Sequence, residues 1–150
     1  MATKEDYQIM QICAKETYPV RHPVLRTGKP IETCAFNGDD LPSTMHIGLF
    51  YKNAIVGVAS FMKSNNNQFS KQLQYQLRGM AILETFQGKG LGKLVLNYGE
   101  ALLKNKDTEL IWCNARTAAV NFYKRRGYKI TGTPFNIAEI GEHYTMYKVL

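Results

Sequence analysis

The 150-residue chain has only three cysteines, Cys13, Cys34 and Cys113. An odd number at wide spacing, with no C-x-x-C, excludes a disulfide framework and a zinc knuckle. Long hydrophobic runs are missing too. The longest, from Ala54 to Met62, is broken by Gly57 and Ser60 and falls far short of the roughly 20 apolar residues of a membrane-spanning helix. Behind the opening Met-Ala-Thr-Lys-Glu-Asp no apolar segment follows a basic start, so no secretory leader is read. Internal repeats and linkers are absent, which removes solenoids and strings of domains. Acidic side chains are scarce: twelve Asp and Glu face nineteen Lys and Arg, a formal charge of +7. That excess favours an anionic partner, whether a phosphorylated cofactor, a nucleic acid or an acidic surface, and does not choose among them. What is present, 45% hydrophobic and 21% charged residues, suits one globular domain over residues 1–150. The expectation is a soluble, cytoplasmic protein.

Residues 7–12 alternate weakly and read as a first strand. A helix starts near Thr17 and Pro19, with Val20, Val24 and Leu25 on one face and Arg21, His22 and Arg26 on another, and closes at Gly28-Lys29-Pro30. Residues 35–45 read as a loop. His46 to Tyr51 and Ala54 to Lys63, split by Lys52-Asn53, form the best hairpin signal. Leu73 to Leu83 is the next strand, and Gly79 inside it suggests a bulge or the close approach of another backbone or a ligand. A helix then carries Leu91, Leu94, Val95, Tyr98 and Leu102 at helical spacing. Leu110 to Cys113 reads as a short buried strand, Ala118 to Arg126 as a short helix closed by Gly127. Two strands, Tyr128 to Gly132 and Tyr144 to Leu150, finish the chain around a loop with Pro134 and Gly141. The order of elements implies an α+β fold of three layers with helix-crossed parallel neighbours.

The segment Gln87 to Lys93 carries the most information. A strand runs in and an amphipathic helix runs out, so the glycines sit where chain reversal leaves N–H groups unpaired. Such amides, with the helix dipole, favour a phosphate or diphosphate, and Lys89 and Lys93 would reinforce it. The segment fits neither common nucleotide loop. A Walker A loop, G-x-x-x-x-G-K-S/T, would need glycine at Gln87 and a hydroxyl at Leu94. A dinucleotide fingerprint, G-x-G-x-x-G, has its third glycine out of register here.

Read together, two motifs resemble the GNAT N-acetyltransferase superfamily. Its acetyl-CoA motif is Gln or Arg, two residues, Gly, one residue, then Gly or Ala, and Gln87-Gly88-Lys89-Gly90-Leu91-Gly92 matches it after Met80-Ala81-Ile82. Downstream, Ala119-Val120-Asn121-Phe122-Tyr123 followed by Gly127-Tyr128 matches a second motif, except that Arg116 stands where the family commonly has Asn. The resemblance implies a mixed central sheet of six to seven strands with the fourth and fifth splayed, flanked by about four helices. It also implies acetyl-CoA as co-substrate and no metal. Pantetheine would lie in the gap against Met80, Ala81 and Ile82, and the diphosphate on Gln87, Gly88, Lys89, Gly90, Leu91, Gly92 and Lys93. A backbone amide on the fourth strand would face the thioester oxygen. Asn114 and Arg116 border the cofactor; Arg116 equally suits an acidic acceptor or a helix cap.

The same resemblance makes Tyr123 the general acid for the departing thiolate. The general base is open. A lysine-like amine is only about 0.04% neutral at pH 7, a deficit of roughly 4.6 kcal/mol, so a base would help. The fourth strand offers Gln74, Gln76 and Arg78 where many relatives carry a carboxylate, leaving Glu84, Glu142 and His143 as candidates of mainly structural character. Cys113, on a short apolar strand, reads as a buried, inert thiol rather than an acyl carrier. His22 and His46 have no spaced partners and read as surface or half-buried residues. Lys124-Arg125-Arg126 is a solvated face or a contact to the 3′-phosphate of coenzyme A. The expected activity is transfer of an acetyl group to a primary amine of a small molecule or peptide, with a homodimer left open and neither nucleic acid nor membrane as partner. The alternative is a non-catalytic acyl-CoA-binding or basic nucleic-acid-binding module of the same fold.

Overall fold

Seven strands form one sheet in the order β1-β2-β3-β4-β5-β7-β6. They are β1 Tyr7–Ile12, β2 Met45–Tyr51, β3 Ala54–Lys63, β4 Gln74–Ile82, β5 Leu110–Arg116, β6 Lys129–Ile137 and β7 Gly141–Val149. Among the described residues three α-helices flank it, α1 Tyr18–Leu25, α2 Leu91–Lys104 and α3 Val120–Arg125, with short 3-10 turns between. The computed structural model describes residues 6–150; the first five residues, on which the expected absence of a leader partly rests, lie outside them. None of the helices among the described residues is long and apolar enough to cross a membrane.

β1 to β4 are antiparallel neighbours, β5 runs parallel to β4, and β7 inserts antiparallel between β5 and β6. The β2–β3 turn takes Lys52 and Asn53 at φ 46° and 70°, the positive values a tight two-residue hairpin requires. Between β3 and β4 the register slips: Val58 faces Ala81 but Ser60 faces Arg78, so Gly79 and Met80 together oppose Ala59. This is a β-bulge, with Gly79 at φ 62°. Phe36 and Arg21 press on it so closely that an added Cβ would lie 3.1 and 3.3 Å from them.

The bulge redirects the second half of β4. Parallel pairing of β4 with β5 covers only Gln74, Tyr75 and Gln76, opposite Leu110, Ile111 and Trp112. Beyond that point β4 turns away and the two strands splay, as the resemblance implied. β5 runs on to Arg116, past its expected end at Cys113. Its burial alternates there, Cys113 and Ala115 buried and Asn114 and Arg116 exposed, because β4 no longer covers that edge.

α2 packs on the sheet through Leu91, Val95, Leu96, Gly99 and Leu103. Leu94, expected on that face, is 38% exposed, and Tyr98 and Leu102 are half-buried. The arc is turned because the ring of Phe61 occupies the place of a Cβ at Gly99, so the helix sits with its glycine on the sheet. The expected loop with Pro134 and Gly141 is instead the body of the β6–β7 hairpin, closed at residues 138–140. A register shift between Thr131 and Phe135 absorbs Pro134 on the edge strand, where a missing N–H is tolerated.

Candidate functional site

The splay opens a cavity of about 440 Å³ between β4 and β5. Gln76 to Met80 form one wall, Cys113 to Arg116 another, and Tyr123, His143, Phe36 and Arg26 close the remainder. Main-chain groups face it from one side. Leu83 N–H donates to Val56 O at 2.8 Å, so by alternation Ala81 also pairs with β3, opposite Val58, while Met80 and Ile82 direct theirs into the gap. Ala81 was expected among the cofactor contacts, and it lies on the side of β4 that pairs with β3. Its backbone faces β3, and its side chain is buried with Val20 and Val58 under α1. The Ile82 carbonyl accepts from Gln87 Nε2 at 2.8 Å, which ties the first motif residue to the end of β4.

A second cavity, about 350 Å³, lies at the glycine turn and is lined by Ile82, Gln87, Gly88, Gly90 to Lys93 and Phe122, with Arg125 and Arg126. Gly88 and Gly90 adopt φ 78° and 76°, and a Cβ on either would meet nothing within 4 Å. Their backbone is thus open to the cavity rather than packed. Gly90 begins α2 without a side-chain cap, and the first turn contains no acidic residue. The free donors of that turn, the positive end of a 14-residue helix and the nearby Lys93 make a surface for an anion. Gly92 differs from its neighbours: Phe122 would stand 3.3 Å from its Cβ, so this glycine lets α3 approach α2. Lys89 does not itself line the cavity, but its Nζ lies 5.2 Å from the ring centroid of Phe86, which does. In the basic run that ends α3, Arg125 and the following Arg126 flank the turn and Lys124 does not.

Tyr123 is 7% exposed and borders the larger cavity. Among the described residues its hydroxyl has no hydrogen-bond partner, yet it is not sealed from the cavity. Burial, with Cys113 adding to it, raises its pKa well above that of an ordinary phenol, so it stays protonated. Tyr128, the other tyrosine of the motif, donates to Glu100 Oε2 at 2.7 Å, and Lys148 Nζ reaches Glu100 Oε1 at 2.9 Å. Both rings belong to the core cluster, but the Tyr128 hydroxyl is engaged there and the Tyr123 hydroxyl is not. Burial pushes the Cys113 thiol up to about 12, leaving about 0.001% thiolate at pH 7, which is poor for a nucleophile.

Of the candidate bases, His143 is the one that borders the cavity. Its Nδ1 lies 2.8 Å from Gly141 O, an acceptor only, so Nδ1 donates there, and Nε2 has no hydrogen-bond partner among the described residues. Glu142 Oε1 accepts from Thr117 Oγ1 and Tyr144 Oη, each at 3.2 Å, and Glu84 is exposed in a 3-10 turn. Gln74 is buried and serves the preceding loop through the carbonyls of Asn66, Phe69 and Lys71. Asn114 Oδ1 accepts from Thr145 Oγ1 at 3.2 Å. Arg116 precedes the 3-10 turn Thr117–Ala119 without capping it and points to the cavity.

One group escaped the sequence reading. Arg21 is fully buried and donates through Nη1 and Nη2 to the two oxygens of Asp39 at 2.7 and 3.0 Å, through Nη1 to Cys34 O and through Nη2 to Ser60 Oγ. His46, expected near the surface, is 5% exposed: Nε2 donates to Asp39 O at 2.9 Å, and Nδ1 lies 2.6 Å from Ser60 Oγ. The cluster fastens α1 and the 34–39 loop to β3 beside the bulge. Nothing local signals it, since its members lie up to 39 positions apart.

Comparisons with known proteins agree with this fold. Residues 7–128 match the family model described as Acetyltransferase (GNAT) family. An uncharacterised N-acetyltransferase of Bacillus subtilis strain 168, YitI, is 34% identical over 143 residues, which cover 95% of this chain and 96% of YitI. The crystal structure of Ard1 from Thermoplasma volcanium is similar at TM-score 0.76 and 18% identity, covering 97% of this chain and 98% of that one. A GNAT acetyltransferase from Elizabethkingia anophelis with acetyl-CoA bound is similar at TM-score 0.70 and 18% identity, covering 98% and 100%.

Proposed function

Since the chain belongs to the acetyltransferase (GNAT) family, and so is an acyltransferase, we propose that it acetylates a primary amine by direct attack within a ternary complex. The observation that carries this reading is the pairing of two cavities, one at an uncapped glycine turn and one between splayed strands. The first suits the diphosphate of coenzyme A, because Gly88 and Gly90 leave their backbone open where a side chain would block it. The second suits the pantetheine arm, with Met80 offering main-chain groups there and Ile82 at the edge of the first cavity. The solved relative that holds acetyl-CoA supports the same choice of ligand.

Acetyl-CoA supplies a thioester, whose carbonyl carbon is the electrophile. Met80 places a main-chain amide on the side where negative charge develops. Tyr123 donates its hydroxyl proton toward the leaving sulfur, and His143 Nε2 takes the proton of the attacking amine. Cys113 has no part in the transfer. Steady release of coenzyme A thiol with a panel of primary amines, and no acetylated protein when amine is withheld, is the expected result. Acetyl-Cys113 formed in the absence of amine would replace direct attack by a two-step route. No thiol release with any amine would remove the enzyme assignment.

A further inference from the structure

The charged side chains around the larger cavity are of one sign. Arg26, Arg78 and Arg116 line it, and neither Asp nor Glu does. The ion pairs among the described residues are Arg21–Asp39 and Lys148–Glu100, so none of these three arginines has a carboxylate within ion-pair distance. The contrast with Arg21 is informative. Three guanidiniums gather on the Phe36 ring, Arg21 at 4.0 Å, Arg26 at 4.9 Å and Arg78 at 5.1 Å from its centroid. The one sealed in the core is supplied with Asp39; the two that face the cavity are held by the ring and by carbonyls. Arg26 donates to Thr33 O and Leu25 O at 3.3 and 3.0 Å, and Arg78 only to Asn37 O at 3.4 Å and weakly to Met62 Sδ. A guanidinium has five N–H donors in a planar fork suited to a carboxylate, and most of these are unclaimed.

Resting on the acetyltransferase reading, we propose that the acceptor is a small primary amine that also carries a carboxylate, received by Arg26, Arg78 and Arg116. The phosphates of coenzyme A do not need these arginines, because the glycine turn has its own cations in Lys93, Arg125 and Arg126. A polyamine or aminoglycoside would bring further positive charge to a wall that already repels it. Burial, with Arg21 and Arg26 adding to it and Asp39 opposing it, draws the pKa of Arg78 below that of an ordinary arginine, and a bound carboxylate favours its charged form. The volume, shared with the end of the pantetheine arm, suits a small molecule. A neighbouring groove continues from Arg26 and Arg116 past Lys29, with Glu139 as its one carboxylate.

The test uses protein saturated with coenzyme A, which cannot turn over. Calorimetry compares ω-amino acids of three to six carbons and L-glutamate with their carboxamides and with diamines of equal length. At least one carboxylate is expected to bind about tenfold or more tightly than its amide and its diamine. Arg78→Gln should bring that ratio near one and Arg78→Lys restore part of it, while coenzyme A affinity is unchanged in both. The proposal is overturned if no carboxylate outperforms its amide, if diamines bind best, or if the preference survives both Arg78→Gln and Arg26→Gln. Binding of an acidic peptide in place of every small amine would also overturn it. Failure of coenzyme A itself to bind is a different result, and sinks the acetyltransferase reading instead.

Discussion

Tyr123→Phe is expected to lower kcat by about 100- to 1,000-fold while changing the dissociation constant of acetyl-CoA by less than about threefold. The hydroxyl is the group lost, and it borders the β4–β5 cavity without a protein partner, so its removal orphans nothing. The ring keeps its edge-on packing against Phe122 and Tyr128, with centroids 5.2 and 5.5 Å away. Folding should therefore be little altered, and the loss should fall on the protonation of the leaving thiolate. Because burial raises the Tyr123 pKa, the acid stays protonated throughout the usual assay range, and a loss of activity on the alkaline side below about pH 10 would have another origin. A variant with wild-type kcat would take Tyr123 out of the mechanism. Tyr128→Phe offers the contrast. It deprives buried Glu100 of a 2.7 Å donor, so its expected effect is on stability.

The largest expected effect on stability belongs to Asp39→Ala. Removing one partner of a buried ion pair leaves a charge without compensation, which typically costs about 3–5 kcal/mol. Arg21 is 0% exposed and would lose two charged hydrogen bonds. For a chain of this size the melting temperature should fall by about 6–20 °C. Replacing both partners by apolar residues of similar volume should cost less than Asp39→Ala alone, because the penalty lies in the uncompensated guanidinium. The pair also sets a pH dependence. Burial alone would raise the Asp39 carboxyl, but the Arg21 hydrogen bonds, the Phe36 amide and the nearby positive charge outweigh it and bring its pKa below the ordinary 3.8. A carboxylate depressed in the folded state contributes stability that is complete above its unfolded pKa and lost as the pH falls through the folded one. Wild type should thus lose stability more steeply below about pH 4 than Asp39→Asn, by chemical denaturation at successive pH values. Parallel profiles would deny the ion pair that role. The same cluster presses on the Gly79 bulge, so the splay of β4 from β5 rests on it.

How much of this was legible depends on whether the signal was local. The β2–β3 hairpin was readable because Lys52-Asn53 tolerates positive φ between two apolar runs. Gly79 was readable because a glycine inside a strand pattern has few other reasons to be there. The glycine turn was readable twice over, from unpaired amides and from family resemblance. The extent of β5 and of the β6–β7 hairpin was not, since Asn114, Arg116, Gly132 and Pro134 are poor strand formers held there by pairing with β7. The side of β4 on which Ala81 lies was not legible, because a one-residue bulge exchanges the two sides of a strand. Arg21 and Asp39 carried no mutual signal. The positive charge was evident from composition, but its division between the two cavities came from the folded chain.

The central claim is that the open amides around Gly88 and Gly90, at the start of α2, hold the diphosphate of coenzyme A. Calorimetric titration of the protein with acetyl-CoA and with acetyl-pantetheine, which lacks diphosphate and nucleotide, tests it most directly. Three or four charge-assisted hydrogen bonds at roughly 1.5–3 kcal/mol each should make acetyl-CoA bind at least about 100-fold more tightly. Equal affinity for the two, or no binding of acetyl-CoA at millimolar concentration, would contradict it.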